Sequence, residues 1–344
     1  MSELKATNED VRHAYRLLLG REPDEQGYAN HLKLLAAGTL SPEQLARGFF
    51  GASEFTARFG CLVQVPSGPI PPHTYAKLHC QACTQYQIES PSFLYWARRL
   101  GERPGGLHRK LWEWCFAAQA FHERGKLRPG MRGLGFAVGS EPLTALFASI
   151  DCDVVATDLD QAQAAQAGWV ESNQHAAGLE QLNVRGLCDA DKFRQRVQFR
   201  SADMRSISTD LRGFDFVWSS CAMEHLGSLD HGVEFALNAM ECLRPGGVAV
   251  HTTELNCESD TDTVETGGSV IYRQRDLLKL AEQLRALGHV VETLDFYTGE
   301  TEADRHVDEE PYGGKAHIKL RIGGFASTSF GLIVTRSGGS DGRT

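Results

Sequence analysis

Apolar residues recur at helical spacing through the first fifty positions of the chain. Val11, Tyr15, Leu18 and Leu19 share one face and are followed by Gly20; Tyr28, Leu32, Leu35 and Ala36 repeat the spacing ahead of Gly38. The string Ser41-Pro42-Glu43-Gln44 joins a capping hydroxyl, a proline suited to the first helical position and a glutamine able to complete a capping box. Leu45, Phe49 and Phe50 then supply a third apolar face. The pattern predicts a small all-α domain over residues 1–60.

Residues 61–104 read as a linker and helical extension. The segment 61–75 is rich in proline, and 93–100 is helical in pattern. A longer helix is predicted over 107–124, with Leu111, Trp112, Cys115, Phe116 and Phe121 near one face and Gly125 after it. Such a helix covers a sheet or lies across a ligand crevice, and the spacing alone leaves both open.

From residue 131 the period changes. Strands are predicted over 131–138, 153–158, 199–204, 213–219, 248–252, 290–296 and 330–335, with helices over 141–150, 230–243 and 273–287. Strand–helix alternation builds a parallel sheet in an α/β, Rossmann-like fold, with ligands at the carboxyl ends of the strands. Gly135 and Gly139 sit where a strand-to-helix turn must let a ligand approach the backbone. Asp158 ends the next strand, at a spacing suited to ribose hydroxyls. The spacing Gly133-x-Gly135-x-x-x-Gly139 departs from the G-x-G-x-x-G of nicotinamide dehydrogenases.

Leu243-Arg-Pro-Gly-Gly247 ahead of a strand, and Phe214-Asp-Phe-Val-Trp-Ser-Ser220 followed by Met223-Glu-His-Leu226, resemble class I S-adenosylmethionine (SAM)-dependent methyltransferases over residues 105–336. The resemblance implies a seven-stranded sheet, parallel except for its last strand, and SAM as cofactor. It implies that the turn Gly133–Gly139 holds the methionine part, Asp158 the ribose, and Asp203 with Met204 the adenine, with Ser219, Ser220 and Cys221 beside the methyl donor. The family has an acid where this chain has Gly133 and a glycine where it has Ala137; Glu141 is the candidate replacement for the acid. Trp218-Ser-Ser-Cys-Ala-Met-Glu-His-Leu-Gly227 and His251-Thr-Thr-Glu-Leu-Asn256 are similar to a bacterial subgroup often found near glycosyltransferases. That similarity implies a sugar, glycolipid or polysaccharide acceptor. At the other end, Tyr15-Arg-Leu-Leu-Leu-Gly-Arg-Glu-Pro-Asp24 with Gly38-Thr-Leu-Ser41 and Ser53-Glu-Phe55 resembles a small helical domain of unknown function in bacterial cell-surface polysaccharide and secretion proteins. It implies a protein partner, or a packing cap.

Methyl transfer to a hydroxyl needs alignment of the reacting atoms and removal of a proton. His225, just after the fourth strand, is the first candidate base, because imidazole titrates near neutral pH. His251 and Glu254 lie at the end of the fifth strand as further candidates, although alternation along a strand points them to opposite faces. The stretch 301–327, with His306, Asp308, Glu309, Glu310, Tyr312 and His317, is long enough for a lid or substrate loop. Two other readings stay open: N-, O- or C-methylation of another small molecule, and a SAM-binding scaffold without catalysis.

Bulk properties narrow this further. The 344 residues carry a net charge of −9, which argues against a nucleic-acid binder. The basic stretch 98–128 is diluted by Glu102, Glu113 and Glu123 and reads as a helical face. No apolar run is long enough to span a bilayer, and the N-terminus lacks the apolar region of a signal peptide. Nine scattered cysteines fit reduced thiols in the cytoplasm. Cys80-x-x-Cys83 is the one close pair, and no metal site is expected. Residues 337–344 read as a flexible tail.

Overall fold

The computed structural model describes residues 5–37, 40–50, 54, 77–161, 175–313 and 316–338. The chain divides into two compact units, Met1–Val65 and Pro66–Thr344. Gly38, Ser53, Phe55, the expected linker over 61–75, the tail from 339 onward and the side chain of Phe50 lie outside the described residues.

In the first unit, helix α1 (Asn8–Ala14) opens with a capping box between Thr7 and Asp10. It runs into a π-helical turn, Tyr15–Leu19, which Gly20 ends in the left-handed conformation at φ 65°. Asp24 caps α2 (Glu25–Ala36) by accepting from the Gly27 N–H. The predicted box at α3 (Pro42–Phe50) forms: the Ser41 N–H donates to Gln44 Oε1 at 2.9 Å, and the Gln44 N–H to Ser41 Oγ at 3.2 Å. Val11, Tyr15, Leu19, Leu45 and Phe49 close the core of this unit.

The second unit is built on one sheet. Its strands are β1 (Cys80–Ala82), β2 (Arg132–Phe136), β3 (Asp153–Asp158), β4 (Val197–Ser201), β5 (Phe214–Ser220), β6 (Leu243–Asn256), β7 (Val290–Val291), β8 (Leu294–Asp295), β9 (Val307–Asp308), β10 (Lys319–Ile322) and β11 (Phe325–Thr335). The order is β4-β3-β2-β5-β6-β11-β1-β8, with β7 and β10 also on β11 and β9 on β10. The pairs from β4 to β6 are parallel and β11 is antiparallel to β6, so the expected Rossmann-like methyltransferase sheet is present, with eleven strands among the described residues in place of the seven expected. The reversal of β11 follows from its hairpin with β10, joined by Gly323 and Gly324, both at positive φ as a two-residue turn requires.

Four strands depart most from the sequence reading. The third predicted strand ends at Ser201, leaving Asp203 and Met204 in the following turn. The fifth is 14 residues long, the sixth breaks into β7 and β8, and the last begins at Phe325. The unpredicted β1 pairs with both β11 and β8, so the segment expected to be an extension supplies a strand of the main sheet. Three residues carry too little periodicity to announce a strand.

Helices α4 (Gln85–Ile88), α5 (Pro91–Arg99), α6 (Arg109–Glu123), α7 (Leu143–Ser149), α8 (Ala190–Arg196), α9 (Leu229–Ala239), α10 (Gln274–Ala286) and α11 (Glu302–Arg305) complete the unit. Ten of the fifteen residues of α6 are buried, because it packs across β5, β6 and β11. Phe116 of α6 lies over Gly331, where an added Cβ would come within 2.2 Å of the ring.

Candidate active site

A crevice of about 680 Å³ opens at the carboxyl ends of β2, β3, β4 and β5. Parallel strands end there together, so their following turns converge on one ligand. After β2 the chain turns through Ala137 at φ 47° and Gly139 at φ 49°, and after β5 through Cys221 at φ 45°. Left-handed backbone is unfavourable for a side chain with a Cβ. Two of the three such non-glycine residues among those described, Ala137 and Cys221, line the crevice.

Asp158 organises the first wall. Its carboxylate accepts from the backbone N–H groups of Gly139 at 3.0 Å, Leu159 at 2.8 Å and Ala176 at 3.0 Å. Burial pushes its pKa above the ordinary value, against those three bonds. A carboxylate has about four acceptor positions, so capacity remains for a ribose hydroxyl. Beyond β4, Asp203 accepts from the Arg205 N–H, and Met204 with Leu159 and Ala202 adds apolar surface suited to a purine.

The opposite end is formed by Glu141, Lys110, Trp114, Ser220, Cys221, Ala222 and His225. The Trp218 indole N–H donates to Glu141, and burial pushes the Glu141 carboxyl up to about 7. His225 Nδ1 lies 2.7 Å from the carbonyl oxygen of Gly268. A carbonyl only accepts, so Nδ1 carries the hydrogen, and in the neutral ring the basic lone pair is on Nε2.

Gly139, Glu141, Asp158, Asp203, Met204 and His225 of the sequence candidates therefore share the crevice. Five others do not reach it. Gly133 and Gly135 lie within β2 rather than in the turn; an added Cβ would meet the rings of Phe216 at 2.3 Å and Trp218 at 2.4 Å. Their smallness serves packing between strand and aromatic ring. Ser219 bonds to His251 Nδ1 at 2.8 Å on the face that carries Phe235, and the alternation of β5 gives its neighbour Ser220 to the crevice. His251 is buried with that pair, and burial lowers its pKa to about 4. Glu254 is buried on the other face, paired with Arg109 and accepting from Ser327 at 2.6 Å.

None of the residues 301–327 that are described lines the crevice; His317 Nδ1 bonds instead to Asp308 at 2.6 Å. Cys80 and Cys83 are free, buried thiols. Metal-ligating atoms of Cys221, Glu224 and Glu254 lie within 4.8 Å of one another, the one such group among the described residues. Cys221 Sγ donates to Glu113 at 3.0 Å, and Arg109 occupies Glu254.

Helix α6 both covers the sheet and reaches the crevice, the two placements that its spacing left open. Arg109, Lys110 and Trp114 were not among the residues singled out from the sequence, yet Lys110 and Trp114 line the crevice while Arg109 and Glu113 are buried beneath it. The i, i+3 pairing of Lys110 with Glu113 was visible in the sequence; its burial was not.

Residues 134–251 match the family model described as a methyltransferase domain, and residues 3–59 match the one described as a domain of unknown function (DUF4214). No curated protein matches the sequence. Among solved structures, the chain is similar to the [4+2]-cyclase SpnF (19% identity, 64% of this chain and 82% of that one, TM-score 0.40). It is also similar to a putative sarcosine dimethylglycine methyltransferase from Galdieria sulphuraria (13%, 66% and 84%, 0.41). A third is the Burkholderia thailandensis 1,6-didemethyltoxoflavin-N1-methyltransferase (15%, 64% and 76%, 0.38).

The second unit thus carries a SAM-dependent methyltransferase fold, and its cofactor is S-adenosylmethionine. Among the described residues, no helix is long and apolar enough to cross a membrane.

Proposed function

We propose that the chain transfers a methyl group from SAM to a hydroxyl of a sugar, glycolipid or polysaccharide, with His225 as the base. The observation that carries this reading is the bond from His225 Nδ1–H to the Gly268 carbonyl, which puts the lone pair on Nε2 in a residue that lines the crevice. SAM, when bound, supplies an electrophilic methyl group on a sulfonium. Asp158 would hold its ribose, Asp203 and Met204 its adenine, and Glu141 its amino group. Lys110, Trp114 and Cys221 wall the acceptor side against water. The acceptor hydroxyl proton passes to His225 Nε2 as its oxygen bonds to the methyl carbon, and the carbon–sulfur bond breaks with its electron pair left on sulfur.

In this reading the N-terminal helical unit, which matches a domain of unknown function, would dock a protein partner beside cell-surface glycan synthesis. Tritium transfer from methyl-labelled SAM into cell-envelope glycan extracts tests the activity. H225A should slow turnover by roughly 10²–10⁴-fold and leave the affinity for S-adenosylhomocysteine unchanged. Unchanged turnover in H225A removes His225 as the base, and absence of label in any extract removes the acceptor class.

A further inference from the structure

Two acid–base pairs are buried under the acceptor end of the crevice, and only one charged group among the four emerges. Side chains of Arg109, Glu254 and Glu113 are 9%, 3% and 0% exposed, whereas Lys110 is 38% exposed. Glu113 is held from three elements. Its Oε1 accepts from Ser329 of β11 at 2.6 Å and from the Cys221 thiol after β5 at 3.0 Å, and its Oε2 accepts from Lys110 at 3.1 Å. The neighbouring Arg109–Glu254 pair, buttressed by Ser327, fixes the start of α6 to β6 and β11.

Burying charge is costly unless it is paired and hydrogen-bonded. Here the buried members position one ammonium on the wall of the crevice that Cys221, Ala222 and His225 also line. An ammonium has three N–H donors. One goes to Glu113, and no other acceptor for Lys110 is found among the described residues. Burial works against the Lys110 charge, but the anionic groups around it, Glu113 foremost among the carboxylates, hold its pKa above the ordinary value. Arg205, the other long cation of the crevice, follows β4 and pairs with Asp203 at 3.8 Å.

We propose that Lys110 is an acceptor-binding residue, and that the acceptor is an anionic sugar whose carboxylate or phosphate oxygen receives the remaining Lys110 donors. The inference rests on the methyltransferase reading above and narrows its substrate class. A cation in a partly desolvated wall favours an anionic oxygen over a neutral hydroxyl and repels an ammonium.

The test uses the full chain and four sugars of similar shape: glucuronate, glucose 6-phosphate, glucose and glucosamine. Each is titrated by protein-observed NMR, with and without S-adenosylhomocysteine, whose own affinity is measured by calorimetry. At least one anion should bind about tenfold or more tightly than glucose and glucosamine, the scale of one charge-assisted hydrogen bond. Glucuronate and glucose 6-phosphate separate carboxylate from phosphate. The preference should fall to within about twofold in K110M and persist in K110R. Because K110M leaves Glu113 buried and unpaired, K110M/E113Q repeats the measurement without that charge. S-adenosylhomocysteine affinity should change by less than about twofold throughout. Equal binding of glucose and the anions, no binding of either anion, or a preference that survives in K110M/E113Q overturns the inference. Failure of the wild type to bind S-adenosylhomocysteine would instead count against the methyltransferase reading, since the sugar titrations are also read without it.

Discussion

Glu141 accepts a hydrogen bond from the Trp218 indole N–H while lining the crevice, so a buried carboxyl and the ring that covers Gly135 form a single wall. That arrangement makes the wall sensitive to pH. Burial raises the Glu141 pKa from 4.5 to about 7. A native state that binds the proton more tightly than the unfolded chain has its stabilising contribution intact below pH 4.5, and loses it as pH rises through 7. E141Q keeps an acceptor for Trp218 without the charge. It should be more stable than wild type near pH 8, by up to about 3 kcal/mol, with the gap closing in acid. Calorimetric unfolding at both ends of this range decides it; a gap independent of pH would refute the assignment.

His251 has the opposite sign. Its pKa falls from 6.5 to about 4 because it is buried, with Nδ1 on Ser219 and Nε2 without a hydrogen-bond partner among the described residues. The stability linked to the neutral ring is present above pH 6.5 and is lost as pH falls through 4. S219A/H251L should therefore lose less stability in acid than wild type, by up to about 3 kcal/mol. Parallel stability–pH curves for the two proteins would show that the ring does not titrate as argued.

The Arg109–Glu254 pair predicts an asymmetric response to mutation. R109M leaves a buried carboxylate without its counter-ion and should cost about 3–5 kcal/mol. R109M/E254M removes both charges and should recover most of that loss. Denaturant titrations of the two variants test this, and a double variant no more stable than R109M would count against it.

In β2, Gly135→Ala places a Cβ within 2.4 Å of Trp218 and 2.5 Å of Val138. Overpacking of this kind costs about 1–3 kcal/mol. The loss should appear in urea unfolding of the ligand-free protein, since Gly135 does not line the crevice. A variant that folds with wild-type stability but loses S-adenosylhomocysteine would return Gly135 to the ligand site.

The α/β alternation, the capping box at Ser41 and Gln44, and the place of Asp158 at a strand end were legible because each is a local pattern of spacing and side-chain chemistry. Gly139 and His225 were legible as site candidates because turns after parallel strands converge, whereas Glu141, Asp203 and Met204 were named through the resemblance to methyltransferases. Gly133 and Gly135 were assigned to the turn because a small residue serves backbone approach and ring packing equally well, and only the facing ring distinguishes the two. Ser219, His251 and Glu254 lie near the right strand ends, but strand registers set which face each side chain takes.

The sequence by itself determined the alternation of strands and helices from β2 to β6, because hydrophobic period and turn chemistry act over a few residues. It also carried the departures at Gly133 and Ala137. Tertiary structure alone decided that Ala137 adopts the left-handed conformation a glycine would take freely, that β1 joins β11, and that the polar residues of α6 lie under the acceptor end of the crevice. Those outcomes depend on pairings between residues far apart in the chain, such as Glu113 with Ser329 and Arg109 with Glu254, which no local pattern encodes.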